Sequence, residues 1–222
     1  MMRLPREIDA VAFDLDGVLT DTARAHFRAW KRLADSIGIP FDEAANEALK
    51  GVDRMGSLAL ILGDRLGFDA AARADFAAQK NEWYLKEIEE FGPGDLFPGA
   101  RDAIEQCRAA GLSVALASAS RNAPLLLQRM EIDELFDVVV DPASVAAGKP
   151  APDIFLAAAR AVGAAPERVL GVEDAPAGVA AIHAAGMAAL GVGTRDALPA
   201  ADLIIATIAD FRLSDYRIQA GD

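Results

Sequence analysis

The chain has 222 residues, with 34 acidic against 22 basic side chains and a formal net charge of −12. A chain of this length can bury a core without a covalent staple, and its charge argues against nucleic acid or an anionic membrane as a partner. Cys107 is the single cysteine and forms no internal disulfide, which favours a reducing compartment. Neither a signal peptide nor a membrane span is predicted, because no apolar stretch is long enough. We therefore expect a cytoplasmic protein and, by default, a monomer.

Short apolar runs recur along the chain, at 10–13, 113–117, 138–140, 168–172, 188–192 and 203–206. Their apolar residues are continuous rather than alternating, as in strands that are buried on both faces of a parallel sheet. Helix-like stretches between them end at a glycine, which readily caps a helix C-terminus: Gly111, Gly163 and Gly186. This alternation predicts a doubly wound, parallel-sheet α/β fold of the Rossmann-like type.

The segment between the first two strands breaks this rhythm. From 22 to 91 no run has the character of a strand, and apolar residues recur at helical spacing. The stretch 91–99, "FGPGDLFPG", suits a return linker because glycine and proline interrupt both helix and strand. We predict a helical cap domain over 21–92, inserted after the first strand of an α/β core catalytic domain formed by 1–20 and 93–222.

Polar side chains follow four consecutive strands of the predicted sheet. "FDLDGVLTD" (13–21) places Asp14 and Asp16 directly after the first strand. The next three strands are followed in turn by Ser118 with Ser120, by Lys149, and by Glu173 with Asp174. Ligands of an open parallel sheet bind outside the carboxyl ends of its strands, so the set should converge there. Close carboxylates repel one another, and Mg²⁺, which prefers carboxylate oxygens, would compensate for that repulsion.

This set of side chains suits phosphoryl transfer. Asp14 would attack phosphorus and form an aspartyl phosphate, and Asp16, two residues later, would act as general acid and base. Lys149 would neutralise the nucleophile and the transferring oxygens. Ser118 and nearby backbone N–H groups would bind the remaining oxygens.

Taken singly, these residues have simpler interpretations. "LDGV" is also a turn signal, Glu173 and Asp174 suit an acidic helix N-terminus, and Lys149 alone suits a solvated lysine. Other kinds of site fit less well. An EF-hand loop has its glycine at the sixth position, Pro150 replaces the Ser or Thr of a Walker loop, and two histidines with one cysteine cannot build a usual zinc site.

Four stretches, "DLDGVLTD", "SAS", "KPAPD" and "EDAPAG", resemble the four motifs of the haloacid dehalogenase superfamily, in which a helical cap can follow the first strand. Five longer stretches narrow the resemblance to the β-phosphoglucomutase branch: "HFRAWK" (26–31), "LKGVDR" (49–54), "ASASRN" (117–122), "DPASVAAGKPAPDIF" (141–155) and "GVEDAPAG" (171–178). The resemblance spans essentially the whole chain. Its cap stretches are the most specific part, because many phosphatases share the core motifs.

The resemblance implies a role for each matching residue. Asp14 would be the phosphorylated nucleophile and a Mg²⁺ ligand, and Asp16 the acid/base that also contacts substrate and gives the metal its backbone carbonyl. Thr22 and His26, on one face of the first cap helix, would help to position Asp16. The other implied contacts are Glu173 and Asp174 for the metal; Ser118, Ala119 and Lys149 for the transferring phosphate; Arg54, Ser120, Arg121 and Asn122 for the distal phosphate; and Trp30, Lys50, Gly51 and Ser57 for the rest of the substrate.

The implied activity interconverts β-D-glucose 1-phosphate and D-glucose 6-phosphate, with β-glucose 1,6-bisphosphate as activating intermediate. Two alternatives stay open: a Mg²⁺-dependent sugar-phosphate phosphatase on the same scaffold, and a non-catalytic phosphosugar-binding protein. Without the resemblance, Trp30 suits the cap core and Arg54 a surface pair with Asp53. The chain also departs from the family, which has a lysine at the position of Arg121 and serines at those of Asp53, Gly148 and Ala175. Asp53 is expected to compete for the Arg54 guanidinium.

Overall fold

The computed structural model describes residues 7–63, 65 and 67–216. Its strands, numbered β1 to β6 in chain order, are Ala10–Phe13, Ser113–Leu116, Val138–Val139, Val169–Glu173, Ala188–Val192 and Leu203–Ile205. All are parallel and form one sheet in the spatial order β3-β2-β1-β4-β5-β6. The predicted doubly wound α/β fold is confirmed. The chain reverses its direction of travel across the sheet between β1 and β4, which is where ligands bind in such folds.

The helices, numbered α1 to α8, are Ala23–Ser36, Glu43–Glu47, Arg54–Leu62, Ala70–Glu87, Ala100–Ala109, Ala123–Arg129, Asp153–Ala161 and Pro176–Ala184. Helices α5 and α6 pack on one face of the sheet, and α7 and α8 on the other. Within β1, Val11 and Phe13 join the first core, whereas Ala10 and Ala12 join the second. Burial on both faces explains why the strand sequences are continuously apolar. Among the described residues, none of the helices combines the length and apolarity that a membrane crossing requires.

Four strands differ by one residue from their predicted bounds: β2 and β6 each end one residue early, at 116 and 205, and β3 and β4 differ as follows. β3 has two residues instead of the predicted three, although the Val140 N–H still donates to the Leu116 carbonyl at 3.0 Å. β4 ends at Glu173 rather than at 172, because Glu173 still pairs with Gly191 of β5. This extension holds the Glu173 side chain on the strand itself, where it is fully buried.

Helices α1 to α4 lie between β1 and α5, and the described part of 22–91 contains no strand, as predicted. These helices have a hydrophobic cluster of their own, which includes Trp30, Leu33, Leu58 and Leu62. A separate cluster is what an inserted cap domain requires. We call this segment the cap, and its limits at 21 and 92 stay a prediction.

The two linkers that join the cap to the α/β core lie side by side. The Phe97 N–H donates to the Leu19 carbonyl at 2.9 Å, and the Thr20 hydroxyl donates to the Asp95 carbonyl at 2.7 Å. The cap therefore leaves and rejoins the core at one place, beside the carboxyl end of β1.

Candidate active site

A buried lysine joins the ends of β1 and β4. Lys149 Nζ donates to Asp14 Oδ1 at 2.9 Å and to Glu173 Oε1 at 2.6 Å, and all three side chains are almost wholly inaccessible. Burial lowers the pKa of the Lys149 ammonium, but the two carboxylates outweigh burial and leave that pKa raised. The ammonium group therefore stays charged beside Asp14. These contacts meet one expectation for a phosphoryl-transfer site, a fixed positive charge at the predicted nucleophile.

Asp14, Glu173 and Asp174 bring carboxylate oxygens within 4.8 Å of one another. Burial, reinforced by the charge of Glu173, raises the pKa of Asp14 to about 7 and that of Asp174 to about 8; Lys149 offsets part of the rise at Asp14. Glu173 is already engaged, since its Oε2 accepts from the Ala175 N–H at 2.8 Å and its Oε1 from Lys149. Asp14 and Asp174 are thus the carboxylates that lack sufficient positive charge, and a divalent cation would supply it.

The surroundings of Gly17 explain why the "DLDG" stretch ends in a glycine. A Cβ placed on Gly17 would lie 2.1 Å from Asp174 Oδ2, and the residue has φ +83°, which L side chains rarely adopt. The turn after β1 therefore requires glycine, because a side chain there would displace the Asp174 carboxylate from its place near Asp14. The donor set and this cradle fit Mg²⁺, a hard cation that is bound by oxygens.

Asp16 and its neighbours form the cap side of the same site. The Thr22 hydroxyl donates to Asp16 Oδ1. Burial raises the pKa of Asp16, and the Thr22 hydrogen bond partly offsets that rise. A carboxyl group with a raised pKa can hold a proton nearer to neutral pH, as a general acid must.

Lys80 of α4 lies next to the predicted residue His26, and it was not among the predicted site residues. Lys80 Nζ lies 2.9 Å from His26 Nδ1 and over the rings of Trp30 and Tyr84, 4.6 Å from each centroid. Burial is the main cause that lowers the pKa of Lys80 to about 7, and the nearby charge of Arg54 adds to it. Burial, and to a smaller extent the charge of Lys80, also lowers the pKa of His26 well below its ordinary value, so the imidazole is neutral.

The serines after β2 shape their own loop. Ser118 Oγ accepts from the Ser120 N–H at 3.1 Å, and Ser120 Oγ accepts from the Asn122 N–H at 3.3 Å. Each hydroxyl therefore fixes the backbone two residues later and keeps its own proton for a ligand. The loop leads into α6 and turns Ala119 to Asn122 toward the cleft between cap and core.

Two guanidinium groups face the cleft from opposite sides, Arg54 from α3 of the cap and Arg121 from the core. Burial, followed by the charge of Arg121, lowers the pKa of Arg54. Asp53 does not compete for Arg54: its Oδ1 accepts from the Met55 and Gly56 N–H groups at 2.8 and 3.0 Å and caps α3. Arg54 donates instead to Asn81 Oδ1 at 2.7 Å. An anion between the two guanidinium groups would relieve their repulsion.

Most of the predicted site residues line this one cleft: Asp14, Asp16, Thr22, His26, Trp30, Lys50, Gly51, Arg54, Ser57, Ala119, Ser120, Arg121, Asn122 and Asp174. The other three, Ser118, Lys149 and Glu173, are buried. Trp30 serves the cap core as well, since it is only 2% exposed. Lys50 forms an ion pair with Glu47 at 2.8 Å, and the Ser57 hydroxyl donates to the Val52 carbonyl at 3.3 Å.

Comparison with known proteins agrees with this arrangement. A haloacid dehalogenase-like hydrolase profile matches residues 8–186. The chain belongs to the haloacid dehalogenase-like hydrolase family. A β-phosphoglucomutase of Bacillus subtilis (strain 168) is 44% identical over 207 residues, which are 92% of each chain.

A crystal structure of β-phosphoglucomutase from Clostridium difficile matches the fold with a TM-score of 0.91 and 36% identity, covering 94% of this chain and 95% of that one. A phosphorylated carbohydrates phosphatase of Thermotoga maritima is 32% identical over 182 residues, 81% of this chain and 82% of the relative. The mutase relatives indicate an isomerase, a phosphomutase of this family.

Proposed function

We propose that the protein interconverts β-D-glucose 1-phosphate and D-glucose 6-phosphate through β-glucose 1,6-bisphosphate and a phosphoaspartate on Asp14. The observation that carries this proposal is the polarity of the cleft. Asp14 and Asp174 form an acidic end, where Lys149 contacts Asp14 from below, whereas Arg54 and Arg121 form a cationic end. A bisphosphate needs both: one end transfers a phosphoryl group and the other binds the phosphate that does not react.

At the acidic end, Asp14 attacks phosphorus of the bisphosphate and the P–O bond to the sugar breaks. Asp16 donates its proton to the departing sugar oxygen. In the second half-reaction, the 6-hydroxyl of an incoming β-glucose 1-phosphate gives its proton to Asp16 and attacks the phosphoaspartate, which regenerates the bisphosphate and releases Asp14. Lys149, hydrogen-bonded to Asp14, neutralises charge on the transferring oxygens.

Mg²⁺ suits the same end of the cleft. Asp14 and Asp174 would hold it through their carboxylates, the Asp16 backbone carbonyl would add a further oxygen, and Glu173 would act next to them while bound to Lys149. The metal would supply charge neutralisation that lets an anionic carboxylate approach an anionic phosphate.

At the cationic end, Arg54 and Arg121 would bind the distal phosphate together with Ser120 and Asn122. A guanidinium presents several N–H groups in one plane and can bind a phosphate through two of them. Since Arg54 comes from the cap, this phosphate would also favour closure of the cap and exclusion of water from Asp14. Water exclusion separates a mutase from a phosphatase, because water that attacks the phosphoaspartate yields inorganic phosphate.

The phosphatase relative from Thermotoga maritima makes a sugar-phosphate phosphatase the second candidate. Its chemistry at Asp14 would be the same, but a monophosphate leaves the cationic end without a partner. A phosphosugar-binding protein without turnover would need neither the buried Lys149 contact nor the acid/base Asp16.

Phosphorus NMR tests the proposal directly. Purified protein with Mg²⁺, β-glucose 1-phosphate and a trace of the bisphosphate is expected to accumulate glucose 6-phosphate with little inorganic phosphate. Asp14→Asn should abolish this, whereas Asp35→Asn, which removes only an exposed ion pair with Lys31, should not. Inorganic phosphate as the main product would replace the mutase proposal with the phosphatase.

The surroundings of the protein stay predictions. We propose a cytoplasmic monomer that acts on a small phosphorylated sugar and has neither nucleic acid nor membrane as a partner. The net charge of −12 supports the last two points.

A further inference from the structure

Asn81 of α4 bridges the two walls of the cleft. Its Oδ1 accepts from Arg54 Nη2 at 2.7 Å and from Asn122 Nδ2 at 2.9 Å. A guanidinium group only donates, so the Asn81 atom that faces Arg54 must be the amide oxygen. Asn122 must then present its NH₂ group to that oxygen. Arg54 thus fixes the orientation of both amide groups.

The three residues come from different parts of the fold. Arg54 begins α3 and Asn81 lies within α4, both in the cap, whereas Asn122 immediately precedes α6 of the core. Arg54 and Asn122 line the cleft, but Asn81 is not among its lining residues. Asn81 therefore acts on a ligand in the cleft only through the two donors that it holds.

An amide is well suited to this position because it carries no charge. A carboxylate at position 81 would form an ion pair with Arg54 and cancel the positive charge that a phosphate needs. A neutral oxygen directs one N–H of the guanidinium group and leaves its charge and remaining N–H groups for an anion. Arg54 also faces Arg121, so its charge is not balanced by the core wall.

We propose that Asn81 is a positioning residue for the distal phosphate: it holds Arg54 of the cap and Asn122 of the core at one spacing, so that this anion site is complete only when the cap meets the core. The inference rests on the function proposed above and assigns a residue to it. It also explains why α4 carries a half-buried amide next to the buried Lys80.

The test compares reactions that do and do not use the distal phosphate. Asn81→Ala is expected to raise the KM for β-glucose 1,6-bisphosphate about 5- to 20-fold, the effect of losing hydrogen bonds to a charged donor. Phosphorylation of Asp14 by acetyl phosphate, which has no second phosphate, should change less than about twofold. Asn81→Asp, which keeps an oxygen but adds charge, should raise KM further than alanine does.

Gln79→Ala is the matched control, because it also removes an amide from α4 but from an exposed position. Its KM should equal that of the unmodified protein. Equal losses with acetyl phosphate and bisphosphate in Asn81→Ala would overturn the proposal, and so would an unchanged KM in Asn81→Asp. If Asn81→Ala does not fold, Asn81→Asp and Asn81→Ser, which retain a polar side chain, decide the same question.

A second readout separates this inference from the mutase proposal. If the unmodified protein releases inorganic phosphate instead of isomerising its substrate, the mutase proposal has failed. The dissociation constant of β-glucose 1,6-bisphosphate, whose second phosphate occupies the cationic end, still tests Asn81 when it is measured by calorimetry with Asp14→Asn to prevent turnover. A rise of about 5- to 20-fold on adding Asn81→Ala supports the positioning role, and an unchanged constant overturns it.

Discussion

Gly148 lets the cap approach the core, and adding one methyl group there should disturb that approach. A Cβ on Gly148 would lie 2.6 Å from Asp53 Oδ2 and 3.4 Å from Asp53 Cγ. Real Cβ atoms essentially never come that close, so one of the two groups must move. Gly148 does not have a positive φ, so alanine adopts its backbone without strain. The effect of Gly148→Ala is therefore a collision between core and cap.

Asp53 cannot simply rotate away from this collision. Its other oxygen accepts two backbone N–H groups at the start of α3, and losing that cap costs roughly 1 kcal/mol. Overpacking of a well-packed contact costs about 1–3 kcal/mol. If this penalty falls on the closed cap alone, the closed population and kcat/KM fall roughly 5- to 150-fold.

A double-mutant cycle with Asp53→Ser isolates the contact. Serine is also a good N-cap residue but is shorter, so it should keep α3 and make room for the new methyl group. We expect Gly148→Ala to lower mutase kcat/KM in the unmodified protein and to have little effect in the Asp53→Ser background. The assay is the rate of glucose 6-phosphate formation, with inorganic phosphate followed in parallel. An equal loss in both backgrounds would refute the steric argument.

Two further predictions concern the acidic end of the cleft. Lys149→Ala should lower the free energy of unfolding by about 3 kcal/mol, because it leaves Glu173 and Asp14 buried without their partner. Urea titration without Mg²⁺ measures this change, and an unchanged free energy of unfolding would contradict a stabilising buried ion pair. Mg²⁺ should raise the Tm more at pH 8.5 than at pH 6. The pKa values of Asp14 and Asp174 are raised to about 7 and about 8, so the metal-free fold loses stability as the pH rises through these values. At lower pH, the cation must displace protons from the two carboxyl groups before it can bind. An equal gain in Tm at both pH values would argue against these carboxylates as ligands.

The acidic end was predictable because parallel strands end on one edge. Once β1 and β4 were recognised as strands, Asp14 and Asp174 had to lie near one another whatever the loops did. The engagement of Glu173 by Lys149 could not be read in the same way. It depends on the extra residue of β4, and that extension is fixed by pairing with β5 rather than by the local sequence.

Lys80 and Asn81 were missed because a helical pattern identifies a buried face without identifying its partners. Lys80 lies on the same face of α4 as Phe76, Trp83 and Tyr84, and a lysine within such a face is a signal in retrospect. Its contact with His26, 54 residues away along the chain, follows from the packing of α4 against α1. For Asp53, by contrast, the sequence suggested a contact that does not form. Its position next to Arg54 suggested an ion pair, but its carboxylate instead accepts hydrogen bonds from backbone N–H groups of α3.

Because the two linkers lie side by side, the cap is a unit that can be replaced by other helices without changing the path of the chain through the sheet. Because Leu19 and Thr20 are hydrogen-bonded to Phe97 and Asp95, both covalent connections of the cap pass through one short pair of linkers, although α1 and α4 also pack against the core. Lengthening the inserted segment adds little entropic cost, about 0.6 kcal/mol for each doubling of a flexible loop. A different set of helices grafted between Thr20 and Asp95 would leave Asp14, still held by the sheet, in place while changing which molecules reach it. The fold thus holds Asp14 on the sheet, whereas the cap supplies the opposite wall of the cleft.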